Sequence, residues 1–100
     1  MKTTIQELDQ KFMATLEGEL DTAAAAEVEE VLQPLYKSSG KDVYIDCEKL
    51  EYISSSGLRL FLALFKKARV KNSHVYLMGM SDDIRQVFDE IGFTSLFEFK

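Results

Sequence analysis

Apolar positions along this chain alternate between a strand-like period of two and a helix-like period near 3.6. Residues 3–8 and 11–18 fit two strands, since apolar side chains occupy every second position in the middle of the second segment. Residues 9–10, Asp-Gln, predict a tight turn between them. The chain is therefore expected to open with a β-hairpin.

A helix is predicted from residue 22 to about residue 37. Asp21 or Thr22 supplies the short side-chain oxygen that can accept a hydrogen bond from an unpaired N–H group at a helix start. Pro34 predicts a kink or a slack last turn, and a loop follows at residues 38–41. The predicted buried stripe has the spacing i, i+3, i+4, i+7 and consists of Val28, Val31, Leu32 and Leu35.

The middle of the chain predicts a buried strand followed by a broad apolar helix. Residues 43–47 form a short, nearly continuous apolar run, which is typical of a central strand that is covered on both faces. The helix is predicted from about residue 56 to residue 70, with apolar residues over roughly half of its circumference. Such a wide arc indicates a helix between a sheet and another helix.

The last third of the chain predicts two further strands around a third helix. The strands are residues 75–78 and 97–99, and the helix between them is capped by Ser81 and ended by Gly92. The order β-β-α-β-α-β-α-β predicts an α/β fold. We therefore expect a single domain over residues 1–100, with a mixed β-sheet whose parallel core strands are covered by helices.

Composition narrows the functional classes. The formal net charge is -5, and basic residues lie close to acidic ones, so no concentrated basic patch indicates a nucleic-acid partner. No apolar stretch approaches the roughly 18 residues that membrane insertion requires. The N-terminus lacks the apolar region of a signal peptide. With its single cysteine, Cys47, the chain is expected to be cytoplasmic.

Residue types that usually carry catalysis are isolated here. His74 is the only histidine, and without a Cys/His cluster we expect no metal site. Cys47 has no base at a recognisable spacing and is interpreted as a small buried hydrophobe. Asp46, Glu48 and Glu51 could suggest a metal or phospho-acceptor site, but a solvated loop explains them better. We therefore expect no cofactor and no enzymatic activity.

Residues 52–59, Tyr-Ile-Ser-Ser-Ser-Gly-Leu-Arg, join a strand to the broad helix and resemble a site. Sites collect at the carboxyl ends of parallel strands, and helix starts attract anions. Arg59 lies four residues after Ser55 and three after Ser56, so an early helix start would place it on their face. The residues alone favour a plainer interpretation, in which the serines form an N-cap and a turn.

Here the sequence resembles the STAS domain family, which includes the bacterial anti-sigma-factor antagonists. The resemblance rests on residues 43–46, Leu50 and the serine segment 52–59. Residues 16–21, Leu-Glu-Gly-Glu-Leu-Asp, are similar to the family's Gly-x-Leu-Asp step into the first helix. The resemblance to the STAS family covers essentially the whole chain. It implies a protein that binds a partner protein rather than one that catalyses a reaction.

The resemblance also implies roles for particular residues. In such antagonists the serine two places before the loop glycine is phosphorylated by the partner, an anti-sigma factor that is also a serine kinase, and that position here is Ser55. The unmodified protein would bind the kinase and the phosphorylated one would be released, with a phosphoserine phosphatase as a further partner. The residues expected to bind the partner are Asp21, Ser54, Ser56, Gly57 and Arg59.

Two alternatives stay open from the sequence. One is a non-switching STAS subunit of a lipid or anion transporter, or of a larger signalling complex. The other is a small enzyme or nucleotide-binding domain of similar topology. The sequence does not determine the oligomeric state.

Overall fold

Six strands form the framework of the computed structural model, which describes residues 1–36 and 40–100. The predicted helix end at residue 37 lies outside the described residues. The predicted loop at residues 38–41 lies partly outside them. The strands are β1 (Lys2–Glu7), β2 (Lys11–Leu20), β3 (Asp42–Asp46), β4 (Leu50–Ile53), β5 (Val75–Met78) and β6 (Glu98–Phe99).

The sheet is mixed, as predicted. Strands β1 and β2 form the antiparallel hairpin, and the order across the sheet is β1-β2-β3-β5-β6 with parallel pairs after the first. Strand β2 pairs in parallel with β3 along its first half and with β4 along its last residues. The register shifts between Gly18 and Glu19, and Gly18 has a φ of +107°, which glycine adopts readily. This bend lets one long strand serve two neighbours in turn.

Four helices are described. They are α1 (Thr22–Val31), α2 (Gln33–Tyr36), α3 (Ser55–Val70) and α4 (Asp82–Glu90), and a short 3-10 turn, Thr94–Leu96, precedes β6. The predicted cap of α4 is confirmed, because Ser81 Oγ accepts a hydrogen bond of 3.3 Å from the Ile84 N–H. Gly92, with a φ of +76°, lies just beyond the end of α4, as predicted.

The predicted first helix is divided into two at Leu32, two residues before Pro34, where only a kink or a slack last turn was expected. Helix α1 ends at Val31, and the short helix α2 follows after Leu32. Val28, Leu32 and Leu35 are buried as predicted. Val31 was wrongly assigned to the buried stripe, since it is 41% exposed. Ala24 and Ala25 are buried instead, which centres the stripe on the side away from Val31.

The described helices cover one face of the sheet and leave the other open, so the prediction that β3 is covered on both faces was wrong. Val43 and Ile45 are buried in the core, whereas Tyr44 between them is half-buried on the other face. The open face carries a column of side chains from three strands and from the residue that follows β6. Its rings and ammonium groups are stacked at separations of 4.6, 4.6 and 4.8 Å, in the order Lys11, Tyr44, Tyr76 and Lys100. Tyrosine counts as apolar in a sequence pattern of hydrophobic residues, yet its amphipathic ring tolerates this exposed position.

Strand β4 is the element that the sequence did not predict. Of its four residues, only the first and last, Leu50 and Ile53, are buried, so no alternation marks it. Its presence changes the place of the serine segment. That segment follows β4, a short strand beside the end of β2, rather than the central strand β3.

Candidate functional site

The serine segment is one of two strand-to-helix junctions that lie side by side. Strand β2 passes through Leu20 and Asp21 into α1, and β4 passes through Ile53 and Ser54 into α3. The strands are parallel neighbours, so both helices begin at the same edge. A hydrogen bond of 2.9 Å from the Ser54 N–H to the Leu20 carbonyl oxygen joins the junctions directly.

Both junctions use a side-chain N-cap. Asp21 Oδ1 accepts a hydrogen bond of 2.8 Å from the Ala24 N–H, which confirms its predicted capping role. Ser54 Oγ accepts one of 3.1 Å from the Gly57 N–H. Capping therefore accounts for Ser54, the first of the three serines.

Ser55 and Ser56 remain available for other contacts. Ser55 is the first residue of α3 and is exposed, whereas Ser56 is half-buried. The Ser55 hydroxyl therefore stands in solvent at a helix start, where unpaired backbone N–H groups create a positive partial charge. Another protein can reach it without any rearrangement of the core.

Gly57 holds α3 close to both strand ends. It is buried, and a Cβ built on it would lie 2.8 Å from Leu20 Cγ and 2.9 Å from Ile53 Cγ1. Real Cβ atoms do not approach other carbons so closely, so a larger residue would push the helix away. Any contribution of Gly57 to partner binding is therefore indirect, through the position of the serine backbone.

Arg59 lies beside Ser56 in a shallow groove between α1 and α3. The groove has a volume of about 390 Å³. Thr22 and Glu29 line it from α1. Ser56 and Arg59 thus share a face, as the spacing predicted, while Ser55 is not among the lining residues. Arg59 therefore lies about one helical turn after Ser55 and Ser56 along α3.

Tyr52 opens the segment 52–59, but no role was predicted for this residue itself. Its side chain is 51% exposed, and in the parallel pairing it lies beside Glu19 of β2, which is also exposed. The direction of Tyr52 depends on β4 being a strand. Because the sequence pattern did not reveal β4, the sequence offered no signal for this position.

The other reactive side chains lie away from the junctions or are buried. Burial, together with the nearby Asp46 carboxylate, raises the pKa of the Cys47 thiol to about 12, so the thiol stays protonated at neutral pH. His74 is exposed, with its Nδ1 3.3 Å from Glu98. Within residues 1–36 and 40–100, no cluster of three or more metal-binding side chains occurs. No helix among them has the length and apolar character to span a bilayer.

Comparison with known proteins relates this geometry to a family. An anti-sigma-B factor antagonist of Staphylococcus aureus is 33% identical over 96 residues, which are 96% of this chain and 87% of that protein. The anti-sigma factor antagonist SpoIIAA in its unphosphorylated form superposes with a TM-score of 0.78 at 18% identity, covering 99% of this chain and 87% of SpoIIAA.

The phosphorylated form of the Bacillus protein SpoIIAA superposes equally well, with a TM-score of 0.78 at 19% identity over 99% of this chain and 91% of that one. The family model of the STAS domain matches residues 2–100. The chain therefore belongs to the STAS domain family.

Proposed function

We propose that this protein is an anti-sigma-factor antagonist that exchanges partners when Ser55 is phosphorylated. The observation that carries the proposal is the exposed Ser55 hydroxyl at the start of α3, released from capping by Ser54. The 33% identity to an anti-sigma-B factor antagonist over nearly the whole chain supports the same function. The protein acts in the cytoplasm by binding, without a cofactor and without catalysis of its own.

The partner in this proposal is an anti-sigma factor that is also a serine kinase. Ser55 enters the kinase active site, and the neighbouring junctions supply the docking surface. Asp21, Ser54 and Ser56 contact the partner around the hydroxyl, and Arg59 contacts it one turn further along α3. Gly57 fixes the backbone that presents them. A phosphoserine phosphatase restores the binding-competent form.

The switch follows from where the added charge is placed. A phosphoserine carries about -1.5 to -2 charges at neutral pH. At a helix start the backbone dipoles stabilise a negative charge by roughly 0.3–1 kcal/mol, so the fold tolerates it. SpoIIAA is consistent with this tolerance, because its two phosphorylation states resemble this chain equally.

The cost of the charge arises in the complex. A phosphate that is left unpaired in a closed interface costs several kcal/mol, while about 1.4 kcal/mol already changes the affinity tenfold. Phosphorylation of one exposed hydroxyl is therefore sufficient to release the kinase and free the antagonist.

The test measures binding to the purified cognate anti-sigma factor kinase by titration calorimetry. Wild type and Ser55→Ala should bind alike, whereas Ser55→Asp should bind at least about tenfold more weakly. Thr22→Asp adds the same charge at the first residue of α1. It is the matched control and should weaken binding less. With ATP, mass spectrometry should detect phosphate on wild type but not on Ser55→Ala.

Three outcomes contradict the proposal. If Ser55→Asp binds the kinase with wild-type affinity, a charge at Ser55 does not control binding. If the phosphate is found on another residue, Ser55 is not the phosphorylation site. A stable complex with a transport ATPase, without binding to any anti-sigma factor, would support the non-switching subunit instead.

A further inference from the structure

Tyr52 stands out among the aromatic side chains of this protein. Of the phenylalanine and tyrosine residues whose exposure is described, it alone is more than half exposed, at 51%. The other exposed-face tyrosines, Tyr44 and Tyr76, stack on each other at 4.6 Å and are flanked by lysine ammonium groups. Within the described part of the chain, Tyr52 has no such ring contact or hydrogen bond. About half of Tyr52 is therefore accessible to a partner, and its side chain has no described aromatic or hydrogen-bonding partner within the protein.

The position of Tyr52 is continuous with the serine site. Tyr52 lies on β4, three residues before Ser55. Ile53, the next residue of β4, is buried, and the cap residue Ser54 follows it. In the register of β2 and β4, Tyr52 pairs with Glu19, and Ile53 pairs with Leu20. Since Leu20 and Ile53 point into the core, Tyr52 and Glu19 point away from it, towards solvent.

We propose that Tyr52 is an aromatic anchor of the kinase-docking surface, which then extends from Ser55 onto the open side of β4; this inference rests on the proposed function. Partly exposed tyrosines are preferred anchors in protein interfaces because a rigid ring buries a large apolar area with few rotatable bonds. Glu19 beside it gives the surface a negative charge. The matching feature of the kinase is an apolar pocket with a cationic side chain at its rim.

The experiment compares substitutions that keep the strand intact. Tyr52→Thr removes the ring but keeps a residue that favours β-structure, and Tyr52→Phe removes only the hydroxyl. The matched control is Val70→Thr at the last residue of α3, which is 84% exposed and about 22 Å along the helix from Ser55. Affinity for the purified cognate anti-sigma factor kinase is measured, together with the melting temperature of each variant.

Tyr52→Thr should weaken binding at least about tenfold, while Tyr52→Phe and Val70→Thr stay within about threefold of wild type. Glu19→Gln should weaken binding about threefold at low salt, and the difference should vanish near ~0.5 M NaCl. The melting temperatures of all four variants should match wild type, which separates docking from folding.

Wild-type affinity for Tyr52→Thr, measured alongside a loss of binding in Ser55→Asp, would overturn the anchor and leave the proposed function standing. Equal losses in Tyr52→Thr and Val70→Thr would also overturn it, since the effect would not depend on this surface. If wild type itself does not bind the kinase, the proposed function fails, and that result is distinct from the other two.

Discussion

The two strand-to-helix junctions at the site are built alike and differ in only a few atoms. In each, a parallel strand ends on a buried aliphatic residue, a short polar side chain caps the next helix, and a hydroxyl follows at the first helical position. Thr22 and Ser55 are those hydroxyls, and both are exposed. Yet only Ser55 is proposed as a phosphorylation site, so the differences between the junctions matter.

The first difference is how closely the helix approaches the strands. The Ala24 N–H donates the capping hydrogen bond in α1, and the Gly57 N–H donates it in α3. Alanine fits in the first junction, whereas a Cβ at residue 57 would lie within 3 Å of Leu20 and Ile53. Helix α3 therefore approaches the strand ends so closely that residue 57 has no room for a Cβ atom.

The second difference is charge. The cap before Thr22 is the carboxylate of Asp21, while the cap before Ser55 is the neutral hydroxyl of Ser54. A phosphate on Thr22 would follow directly after a negatively charged cap, whereas one on Ser55 would follow a neutral cap at a helix start. A neutral cap therefore leaves the dipole of α3 free to stabilise an added anion.

The largest effect is expected from the packing difference. Gly57→Ala should lower the free energy of unfolding by about 2 kcal/mol, because overpacking at 2.8–2.9 Å outweighs the better helix propensity of alanine. The reciprocal change, Ala24→Gly, should cost only about 1 kcal/mol, from propensity and lost packing. Urea titration with unchanged m-values measures both. A Gly57→Ala variant as stable as wild type would show that the two junctions do not differ in closeness.

A smaller effect is expected from removing the caps. Asp21→Ala and Ser54→Ala should each cost about 1 kcal/mol in unfolding free energy. The two losses should respond differently to salt, because only the Asp21 cap is charged. At ~1 M NaCl the cost of Asp21→Ala should shrink, while that of Ser54→Ala should not change. Ser95→Ala, in the exposed turn before β6, is the control and should be neutral. If salt changes the unfolding free energies of Asp21→Ala and Ser54→Ala equally, the charge of the cap does not distinguish the two junctions.

Periodicity predicted most of the framework of this fold, because long elements repeat their pattern often enough to be recognised. The hairpin, an irregular end of the first helix and the capped helix before Gly92 were all expected from the sequence. Strand β4 was missed because four residues with two buried ends show no period. The open face was missed because Tyr44 has the same apolar signature whether it is buried or stacked between side chains on an exposed face.

The site was only partly predictable for a related reason. Capping chemistry is local, so Asp21 and the serines could be placed at helix starts from neighbouring residues alone. The contact of Gly57 with Leu20, 37 residues earlier, depends on β2 and β4 being neighbours. The exposure of Tyr52 depends on the same pairing. Long-range geometry of this kind leaves no trace in the spacing of residues along one chain.

The smallest effect is expected when a charge is added at the two exposed hydroxyls, Ser55 and Thr22. Ser55→Asp should stabilise the fold by roughly 0.5 kcal/mol, because a carboxylate at the start of α3 interacts favourably with the helix dipole. Thr22→Asp should change stability by about zero, since repulsion from the adjacent Asp21 offsets the same gain. Both differences should disappear at high salt, and thermal unfolding at two salt concentrations measures them.

The sign of this pair of results decides what kind of switch the protein contains. A Ser55→Asp variant that is more stable than wild type, yet binds the kinase more weakly, would place the cost of phosphorylation in the complex. If Ser55→Asp instead destabilises the free protein by as much as it weakens binding, the junction does not accept the anion, and release would follow from local unfolding of the start of α3. Thr22→Asp separates the two cases, because it adds the same charge where the neighbouring cap already carries one.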